Sequence, residues 1–545
     1  MKNPLASKAF TVKVLARSGV LKPVRPDRLA RLGVAYLRWG ATPATGAIAN
    51  ALRRPNDLAI IDDEGSLTWR ELHVRTNKLA HALADEGVGE GDGVALLARN
   101  HRFFIESTVA VSKLGGNSLF LNTSFAGPQA AGVLEREKPR AVIYDAEFLD
   151  LIDEATEGRQ LKRFVALEVD GDPTPPAKDR RLEDLILEGD PAEPVAPKEN
   201  GKIVILTSGT TGTPKGATRG APKSLDPVAA MLDRVPLKAE ERTLIAAPLF
   251  HAWGAAHFQI ALPLGSTIVL QRKFDPERTL QAIDRERPSL MAVVPVMLAR
   301  ILDLPEETIK KYDLSSLRVV MASGSALHAK LANKWMDATG ENLYNLYGST
   351  EVAWAAIATP QDMRSAPGTV GKPPHGTDVV IFGEGDKRLP TGETGRIFVW
   401  NDLLFEGYTG GSGSKQELEG MMSTGDVGHI DEENRLFVDS REDDMIVSGG
   451  ENVYPGEVED LLMGHDAVEE AAVIGVEDEQ FGARLKAVVV KAKGKSIDDA
   501  ALKEHVKKNL ARYKVPRDVE FVDELPRNAT GKILKRELVE KEGTK

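Results

Sequence analysis

The feature that most constrains this chain is a loop of glycines and hydroxyl residues that follows a short apolar run. Residues 203–206 read Ile-Val-Ile-Leu, and residues 207–216 read Thr-Ser-Gly-Thr-Thr-Gly-Thr-Pro-Lys-Gly. The β-branched run predicts a buried strand. The glycines let backbone N–H groups turn toward an anion, and Lys215 adds positive charge. The pattern therefore predicts a phosphate-binding loop, and the absence of a Walker A ending argues against a P-loop NTPase.

Length and cysteine content narrow the class of protein. A chain of 545 residues exceeds what one hydrophobic core usually organises, so we expect two or more domains. The chain contains no cysteine, which excludes disulfides and cysteine nucleophiles and suits a reducing compartment. No apolar run approaches the ~20 residues of a membrane span, and the first residues lack the apolar core of a secretory signal. A cytoplasmic protein is therefore expected.

The net charge of −11 conceals a basic N-terminal segment. Residues 1–40 hold nine basic residues and one acidic residue, a net +8 that leaves −19 for the remainder. The acidic remainder argues against general nucleic-acid binding. Trp39 and several leucines alternate with the basic residues, as in helices that contact anionic lipid. We expect peripheral membrane contact through residues 1–40; the alternative is an amphipathic helix packed on its own domain.

Helical and strand-like patterns alternate along the chain, which predicts an α/β fold with mostly parallel sheets. Thr68 and Glu71 have capping-box spacing at a helix start. A buried strand is expected at 94–97, and further helical or strand-like segments at 104–114, 141–144, 161–167 and 202–206. A Pro-rich surface connection is expected at 188–200 and a flexible loop at 407–414. The last ~100 residues predict a separate small unit, with strands at 471–476 and 487–490, a helix at 497–510 and a basic, loop-rich tail.

Further motifs follow the phosphate loop in a fixed order. They are Ser-Gly-Ser-Ala-Leu at 323–327, Tyr-Gly-Ser-Thr-Glu at 347–351, Ser-Thr-Gly-Asp-Val-Gly at 423–428, Ser-Arg-Glu-Asp-Asp at 440–444, Ser-Gly-Gly-Glu-Asn-Val-Tyr-Pro at 448–455 and Pro-Arg-Asn-Ala-Thr-Gly-Lys-Ile at 526–533. Each alone is a weak signal, but their joint order is specific. With this series the chain resembles the adenylate-forming superfamily, which includes acyl-CoA synthetases, peptide-synthetase adenylation domains and firefly luciferase. It looks most like the bacterial fatty-acyl-CoA ligases.

The resemblance covers nearly the whole chain and implies a fold and a reaction. The implied fold is a large N-terminal domain, residues 1–442, of two α/β subdomains plus a small β-barrel, and a small mobile α+β C-terminal domain, residues 443–545. The implied reaction has two half-reactions. A carboxylate and ATP give acyl-AMP and pyrophosphate, and a thiol then gives the thioester and AMP. A fatty acid, ATP, Mg²⁺ and coenzyme A are the expected partners, and no pattern assigns an oligomeric state.

The resemblance also assigns a nucleotide site, motif by motif. The phosphate loop would hold the β- and γ-phosphates of ATP through Thr207, Ser208, Gly209, Thr210, Thr211, Gly212 and Lys215. The adenine would lie among Ser323, Gly324, Ser325, Tyr347 and Gly348. Thr350 would bind phosphate, and Glu351 with Thr210 would hold Mg²⁺, which prefers carboxylate and phosphate oxygens. Asp426 would accept hydrogen bonds from the ribose hydroxyls, assisted by Arg441.

The catalytic residue implied by the resemblance is Lys532. Attack of a carboxylate on the α-phosphate builds negative charge, which a lysine stabilises. Asp443 would be the hinge about which the C-terminal domain rotates between half-reactions. Gly449, Gly450 and Glu451 would then face the thiol channel. The alternatives are a solvated basic tail for Lys532 and a plain loop carboxylate for Asp443.

The acyl site is implied by Pro-Leu-Phe-His-Ala-Trp-Gly at 248–254. His251 would pack near the reacting carboxylate, and Trp253 and Gly254 would shape an apolar tunnel. No Lys, Arg or Asp lies there to bind an amino acid, which argues against a peptide-synthetase domain. We expect a medium- to long-chain fatty acid. The alternatives are an aryl acid, transfer of the acyl group to a carrier protein, and a luciferase-like or catalytically degenerate binding protein.

Three positions depart from the family pattern. Ser440 replaces the usual glycine before the arginine, Asn528 replaces a common threonine, and Ser325-Ala326-Leu327 replaces Gly-Ala-Pro. These changes bear on the geometry of the adenine pocket and the hinge.

Overall fold

The structure, a computed structural model, describes residues 4–22, 25–207, 215–218, 224–409, 415–448, 451–478, 482–528 and 531–543. Its helices are α1 (Pro4–Arg17), α2 (Pro26–Trp39), α3 (Pro43–Arg53), α4 (Trp69–Asp85), α5 (Arg102–Lys113), α6 (Gly127–Glu137), α7 (Leu149–Thr156), α8 (Leu182–Glu188), α9 (Asp226–Arg234), α10 (Ala252–Leu264), α11 (Pro276–Glu286), α12 (Pro295–Leu302), α13 (Glu306–Ile309), α14 (Ala329–Thr339), α15 (Pro360–Ser365), α16 (Pro455–Met463), α17 (Asp499–Asn509) and α18 (Lys535–Gly543). None of the helices in these ranges is both long and apolar enough to cross a bilayer.

The strands of the first half of the chain are β1 (Leu58–Asp62), β2 (Gly65–Thr68), β3 (Gly93–Leu97), β4 (Asn117–Phe120), β5 (Ala141–Tyr144), β6 (Lys162–Val165), β7 (Arg180–Arg181), β8 (Ile203–Thr207), β9 (Lys215–Thr218), β10 (Arg242–Ile245) and β11 (Thr267–Leu270). Those of the second half are β12 (Leu290–Val293), β13 (Val319–Ala322), β14 (Leu343–Tyr347), β15 (Ala356–Ala358), β16 (Asp378–Phe382), β17 (Gly395–Trp400), β18 (Gly407–Tyr408), β19 (Glu417–Leu418), β20 (Met421–Ile430), β21 (Leu436–Arg441), β22 (Ile446–Ser448), β23 (Glu451–Val453), β24 (Val468–Asp478), β25 (Gly482–Lys491) and β26 (Asp518–Val522).

Two eight-stranded sheets form the larger part of the molecule. Their strand orders are β15-β14-β13-β12-β10-β11-β1-β2 and β18-β9-β8-β4-β3-β5-β6-β7. Neighbouring strands run parallel except toward the edges, where β2, β15, β9 and β18 pair antiparallel. Parallel strands need crossover connections, and helices supply them. The predicted α/β fold with mostly parallel sheets is confirmed.

The largest apolar cluster lies between these two sheets. It joins Leu96 and Ile143 of one sheet to Ile60 and Ile245 of the other through α4, α5 and α10. Every residue of α5 is buried, as expected for a helix covered on all sides. The capping box of Thr68 is present, since its hydroxyl accepts from the Glu71 N–H and the Glu71 carboxylate accepts from the Thr68 N–H. The segment predictions at 94–97, 104–114 and 141–144 are likewise confirmed.

Two smaller units complete the fold. An antiparallel sheet of β16, β17, β20 and β19, with β21 paired to β20, follows the large sheets. The C-terminal unit contains the hairpin β22–β23 and the sheet β24-β25-β26, covered by α16, α17 and α18. The exact boundary at residues 442 and 443 stays a prediction.

Two loop predictions are wrong in part. Residues 407 and 408, expected in a flexible loop, form β18 and pair with β9. The expected loop-rich tail contains β26, which pairs in parallel with β25, and α18, whose Leu538 packs against Ala472 and Ile474. In both cases long-range packing supplies partners that the local composition does not indicate.

The N-terminal helices pack on the body rather than standing apart. Val14 and Leu15 of α1 join the core that includes α9. Trp39, at the end of α2, is fully buried, and its Nε1 donates to the Lys113 carbonyl at 3.2 Å. The expectation that Trp39 contacts lipid is therefore wrong, because its indole is a structural anchor.

Candidate active site

The candidate site begins where parallel strands of one large sheet end. Strands β12, β13 and β14 are neighbours; Ser323 follows β13, and Tyr347 is the last residue of β14. Ser323 is buried, and its N–H lies 3.4 Å from the Val293 carbonyl. Gly324 has φ 93°, a conformation that favours glycine. The carboxyl ends of parallel strands are the usual place for ligands in such sheets.

Tyr347, Asp426 and Arg441 form a half-buried polar cluster at this edge. The Tyr347 hydroxyl donates to Asp426 Oδ2 at 2.5 Å. Asp426 on β20 faces Arg441 on β21 in register, and Arg441 Nε lies 3.2 Å from Asp426 Oδ1 without hydrogen-bond alignment. Burial raises the pKa of Asp426, although Arg441 and the Tyr347 hydroxyl oppose that shift. Burial lowers the pKa of Arg441, but the negative charges of Asp426, Asp443 and Asp444 together outweigh it and the net shift is upward. The cluster offers a carboxylate and a cation side by side.

Lys532 of the C-terminal unit comes to the same cluster. Its side chain keeps contact with solvent, yet surrounding protein desolvates the ammonium and lowers its pKa. The positive charge of Arg441 lowers this pKa further, while Asp426 opposes the shift. The Lys532 N–H donates to Asn528 Oδ1 at 2.9 Å, which closes the turn that carries the lysine. Asn528, a departure from the family pattern, therefore supports the lysine turn.

Contacts of Gly531 and Lys330 hold the C-terminal unit in this position. Gly531 has φ 78°, and a Cβ built there would lie 2.4 Å from Val296 Cγ1. Lys330 Nζ on α14 donates to the carbonyls of Met463, His465 and Val468, at 3.3, 3.4 and 2.9 Å. These carbonyls lie at and just beyond the C-terminal end of α16, which attracts positive charge. We call the arrangement held by these contacts the docked state.

A second polar group surrounds Glu351. The Tyr408 hydroxyl donates to Glu351 Oε1 at 2.7 Å, and Lys215 Nζ lies 5.4 Å from the centre of the Tyr408 ring. Burial raises the pKa of Glu351, but hydrogen bonds from Tyr408 and Ser349 outweigh it and the net shift is downward. Glu351 is therefore an anion at neutral pH, as a cation ligand must be.

The turn before Glu351 explains two neighbouring positions. A Cβ on Gly348 would lie 2.1 Å from the Ala353 carbonyl oxygen, so only glycine fits there. Thr350 lies within this turn and has polar or electrostatic partners. Its predicted contact with phosphate stays a prediction.

The segment assigned to the acyl site begins α10. His251 precedes the helix and is half-buried, and desolvation by the surrounding protein lowers its pKa to about 4. Trp253 is buried and its Nε1 donates to the Val293 carbonyl at 2.9 Å. Its ring meets the ring of His257 edge-on at 4.4 Å. A Cβ on Gly254 would lie 2.2 Å from the Pro248 carbonyl oxygen, so close helix packing accounts for this glycine.

His257 was not assigned a role from the sequence. Burial lowers its pKa to about 3, so the ring is neutral. Within the described ranges, neither ring nitrogen has a hydrogen-bond partner. A neutral ring with one donor and one acceptor is thus available beside Trp253.

Several predicted residues lie outside the description. Ser208, Gly209, Thr210, Thr211, Gly212, Gly449 and Gly450 are outside the described residues, as are the side chains of Thr207 and Glu451. The described ends of β8 and β9 pair Thr207 with Lys215, so the phosphate loop connects two paired strands. Asp443 lies in a short turn after β21, with Oδ2 3.8 Å from the Arg441 guanidinium. Its role as hinge stays a prediction.

Tyr408 and Lys330, like His257, were not assigned a role from the sequence. Tyr408 precedes a Gly- and Ser-rich run and gave no local signal; only the pairing of β18 with β9 brings it to Glu351. Lys330 resembles any exposed helical lysine until α16 packs against α14. Across the described ranges, no group of three or more His, Asp or Glu side chains could hold a metal by itself.

Comparison with known proteins follows the same division of the chain. A family model described as AMP-binding enzyme matches residues 48–409, and one described as AMP-binding enzyme C-terminal domain matches residues 457–532. A feruloyl-CoA synthase from an Amycolatopsis species is 35% identical, over 90% of this chain and 97% of that protein. An indoleacetate–CoA ligase from Aromatoleum aromaticum is 33% identical, over 88% and 94%. The solved structure of an anthranilate CoA ligase with anthranoyl-AMP superimposes with TM-score 0.82 at 27% identity, over 92% and 97%.

Proposed function

Because the chain belongs to the AMP-binding enzyme family, we propose that it is an AMP-forming acid–CoA ligase whose acid carries an aromatic ring. The observation that carries the ligase assignment is the position of Lys532 beside the Tyr347–Asp426–Arg441 cluster. A cation beside a half-buried carboxylate and a tyrosine suits a nucleotide whose α-phosphate gains charge during reaction.

In the first half-reaction a carboxylate oxygen of the acid attacks the α-phosphorus of ATP. The new bond is the acyl–phosphate bond, and the bond to pyrophosphate breaks with its electron pair. Lys532 stabilises the added negative charge and need not transfer a proton. Asp426 accepts from the ribose hydroxyls, and Tyr347 bounds the base.

In the second half-reaction the thiol sulfur of coenzyme A attacks the acyl carbon. The carbon–oxygen bond to AMP breaks, AMP leaves as an anion, and the thiol proton goes to solvent. Lys532 has no role in this step, so the C-terminal unit is free to leave the docked state. Rotation about Asp443 is the proposed motion.

Glu351 is the proposed ligand of Mg²⁺. A single carboxylate suffices because Mg²⁺ commonly takes one or two protein carboxylates and fills its shell with phosphate oxygens and water. The downward pKa shift of Glu351 fits this donor set. The ion would neutralise phosphate charge.

The aromatic acid is favoured by the relatives and by the rings of α10. The relatives are named for feruloyl, indoleacetate and anthranilate substrates, each of which contains a ring. In this chain the buried rings of Trp253 and His257 offer an aromatic wall. A medium- or long-chain fatty acid, the first expectation from sequence, lacks this support and becomes the second candidate.

The test is AMP and acyl-CoA formation by the full-length protein over a panel of acids. We expect ferulate, indoleacetate or anthranilate to exceed hexanoate, decanoate and palmitate by at least about tenfold in kcat/KM. Lys532→Ala measures the background from contaminating ligases, and Lys508→Ala, at an exposed lysine of α17, is its matched control. A fatty acid as the best substrate would refute the aryl assignment. If acyl-AMP forms but the acyl group passes only to a carrier protein, coenzyme A is not the acceptor. If no acid gives acyl-AMP, the ligase assignment is wrong and the protein is a binding protein.

A further inference from the structure

Helix α2 lies before the region matched by the AMP-binding family model, which begins at residue 48. It starts at Pro26, where proline suits the first turn, and ends at Trp39 before Gly40. The family's chemistry therefore does not account for this helix.

One face of α2 is fixed to the body of the protein. Ala35 and Trp39 are buried, and Leu32 is half-buried. Arg28 donates to the Arg53 carbonyl at 2.9 Å. These positions recur at helical spacing, so a single face of α2 faces inward.

The opposite face of α2 is apolar and open to solvent. Ala30, Gly33, Val34 and Leu37 occur at i, i+3, i+4 and i+7 and are all exposed. Leu37 is 85% exposed, the most exposed of the large apolar side chains of α2. Leu29, 59% exposed, widens this strip, which we call the outer face of α2.

Basic side chains border the outer face. Arg31 and Arg38 are exposed at its edge, and Arg38 also pairs with the exposed Glu193 at 3.4 Å, a surface contact that a lipid phosphate would replace. They belong to a segment of net +8, whereas the rest of the chain carries −19. An anionic surface would thus attract the end of the molecule that carries α2 and repel the remainder.

We propose that the outer face of α2 docks the protein on a membrane surface that contains anionic lipid. Leu29, Val34 and Leu37 enter the interface, and Arg31 and Arg38 contact lipid phosphates. This is the geometry of helices that lie in the plane of a bilayer. A second copy of the chain fits less well. The exposed face of a 14-residue helix covers roughly 200 Å², against ~800 Å² per partner in a stable interface.

The test uses the full-length protein and sedimentation with vesicles. Vesicles of phosphatidylcholine alone are compared with vesicles that also contain phosphatidylglycerol. We expect binding only to the anionic vesicles at ~0.05 M salt, and a fall of at least about tenfold at ~0.5 M, where charges are screened. Binding that ignores lipid charge or salt would overturn the proposal.

Variants locate the contact. The apolar variant is Leu29→Ser/Val34→Ser/Leu37→Ser, and the charge variant is Arg31→Gln/Arg38→Gln. Both should lose most binding. The matched control, Leu187→Ser/Val195→Ser, removes apolar side chains that are 67% and 92% exposed elsewhere and should bind normally. Unchanged melting temperatures would show that all variants fold.

Three further results would also overturn the proposal. The full-length protein could fail to bind anionic vesicles at low salt. The apolar variant could bind as well as the unchanged protein. Light scattering could show that the unchanged protein is an oligomer that the apolar variant dissociates, in which case the outer face joins copies of the chain.

Discussion

Replacing Lys330 by alanine should separate the two half-reactions. Lys330 donates to three carbonyls of the C-terminal unit. It is distant from Lys532 in sequence, and these contacts do not involve any group that we propose to react. Its loss should therefore weaken the docked state without changing the chemistry. Adenylation, for which we propose that Lys532 must lie at the nucleotide, should slow, and thioester formation should not.

The magnitude follows from the contacts. Only the Val468 bond, at 2.9 Å, is short; the other two, at 3.3 and 3.4 Å, are long. The lysine is also exposed, so solvent screens the charge. We expect the three hydrogen bonds together to stabilise the docked state by about 1–2 kcal/mol, which corresponds to a factor of roughly 5–30 in the docking equilibrium.

The assay measures each half-reaction separately. Pyrophosphate release with acid and ATP, without coenzyme A, reports adenylation. Thioester formation from supplied acyl-AMP and coenzyme A reports the second step. The matched control is Lys334→Ala, an exposed lysine one turn further along α14. Equal slowing of both steps by Lys330→Ala, or no change in either, would show that the docked state is not the adenylating state.

Four further predictions concern Lys532, its neighbour Gly531, the proposed hinge at Asp443 and the buried Lys113. Lys532→Ala should slow adenylation by roughly 10²–10³, the scale for one transition-state charge partner, and leave thioester formation from acyl-AMP nearly normal. Gly531→Ala should slow adenylation because its Cβ would lie 2.4 Å from Val296 Cγ1; the added change Val296→Ala should restore part of the rate. Asp443→Pro should impair thioester formation more than adenylation, because proline restricts the proposed hinge. The fully buried Lys113 has its pKa lowered to about 7 by burial, so the unfolded chain binds more protons between about pH 7 and the ordinary lysine pKa of 10.5; the stability of the unchanged protein relative to Lys113→Met should therefore rise as pH rises through that range.

Each of these expectations has a contradicting result. Equal loss of both half-reactions in the Lys532 variant would remove its assigned role. A Gly531 variant with normal adenylation would mean that the close approach of Gly531 to Val296 is not needed for the docked state. An Asp443 variant with both steps intact would place the hinge at another residue. A pH-independent difference in melting temperature for the Lys113 variant would mean that the lysine stays charged inside the fold.

The residues of the candidate site can be named from the sequence because each motif that carries the family resemblance is a short contiguous run. Ser323, Tyr347, Asp426 and Lys532 were named from such runs, and the structure places the last three around one cluster. The α/β alternation was readable for a related reason. A strand such as β5 or a capped helix such as α4 records its environment in the spacing of its own residues.

Tertiary packing decided what local spacing leaves open. Tyr408 reaches Glu351 only because β18 pairs with β9, and Lys330 reaches α16 only when the C-terminal unit docks. Helix α2 shows the physical reason most simply. Its apolar residues lie on two faces of the helix. The spacing of these residues in the sequence predicts both faces but does not show which one packs against the rest of the protein. In the folded protein Trp39 is buried and Leu37 is exposed to solvent. Which face is buried depends on the segments that pack against the helix, and these come from distant parts of the chain.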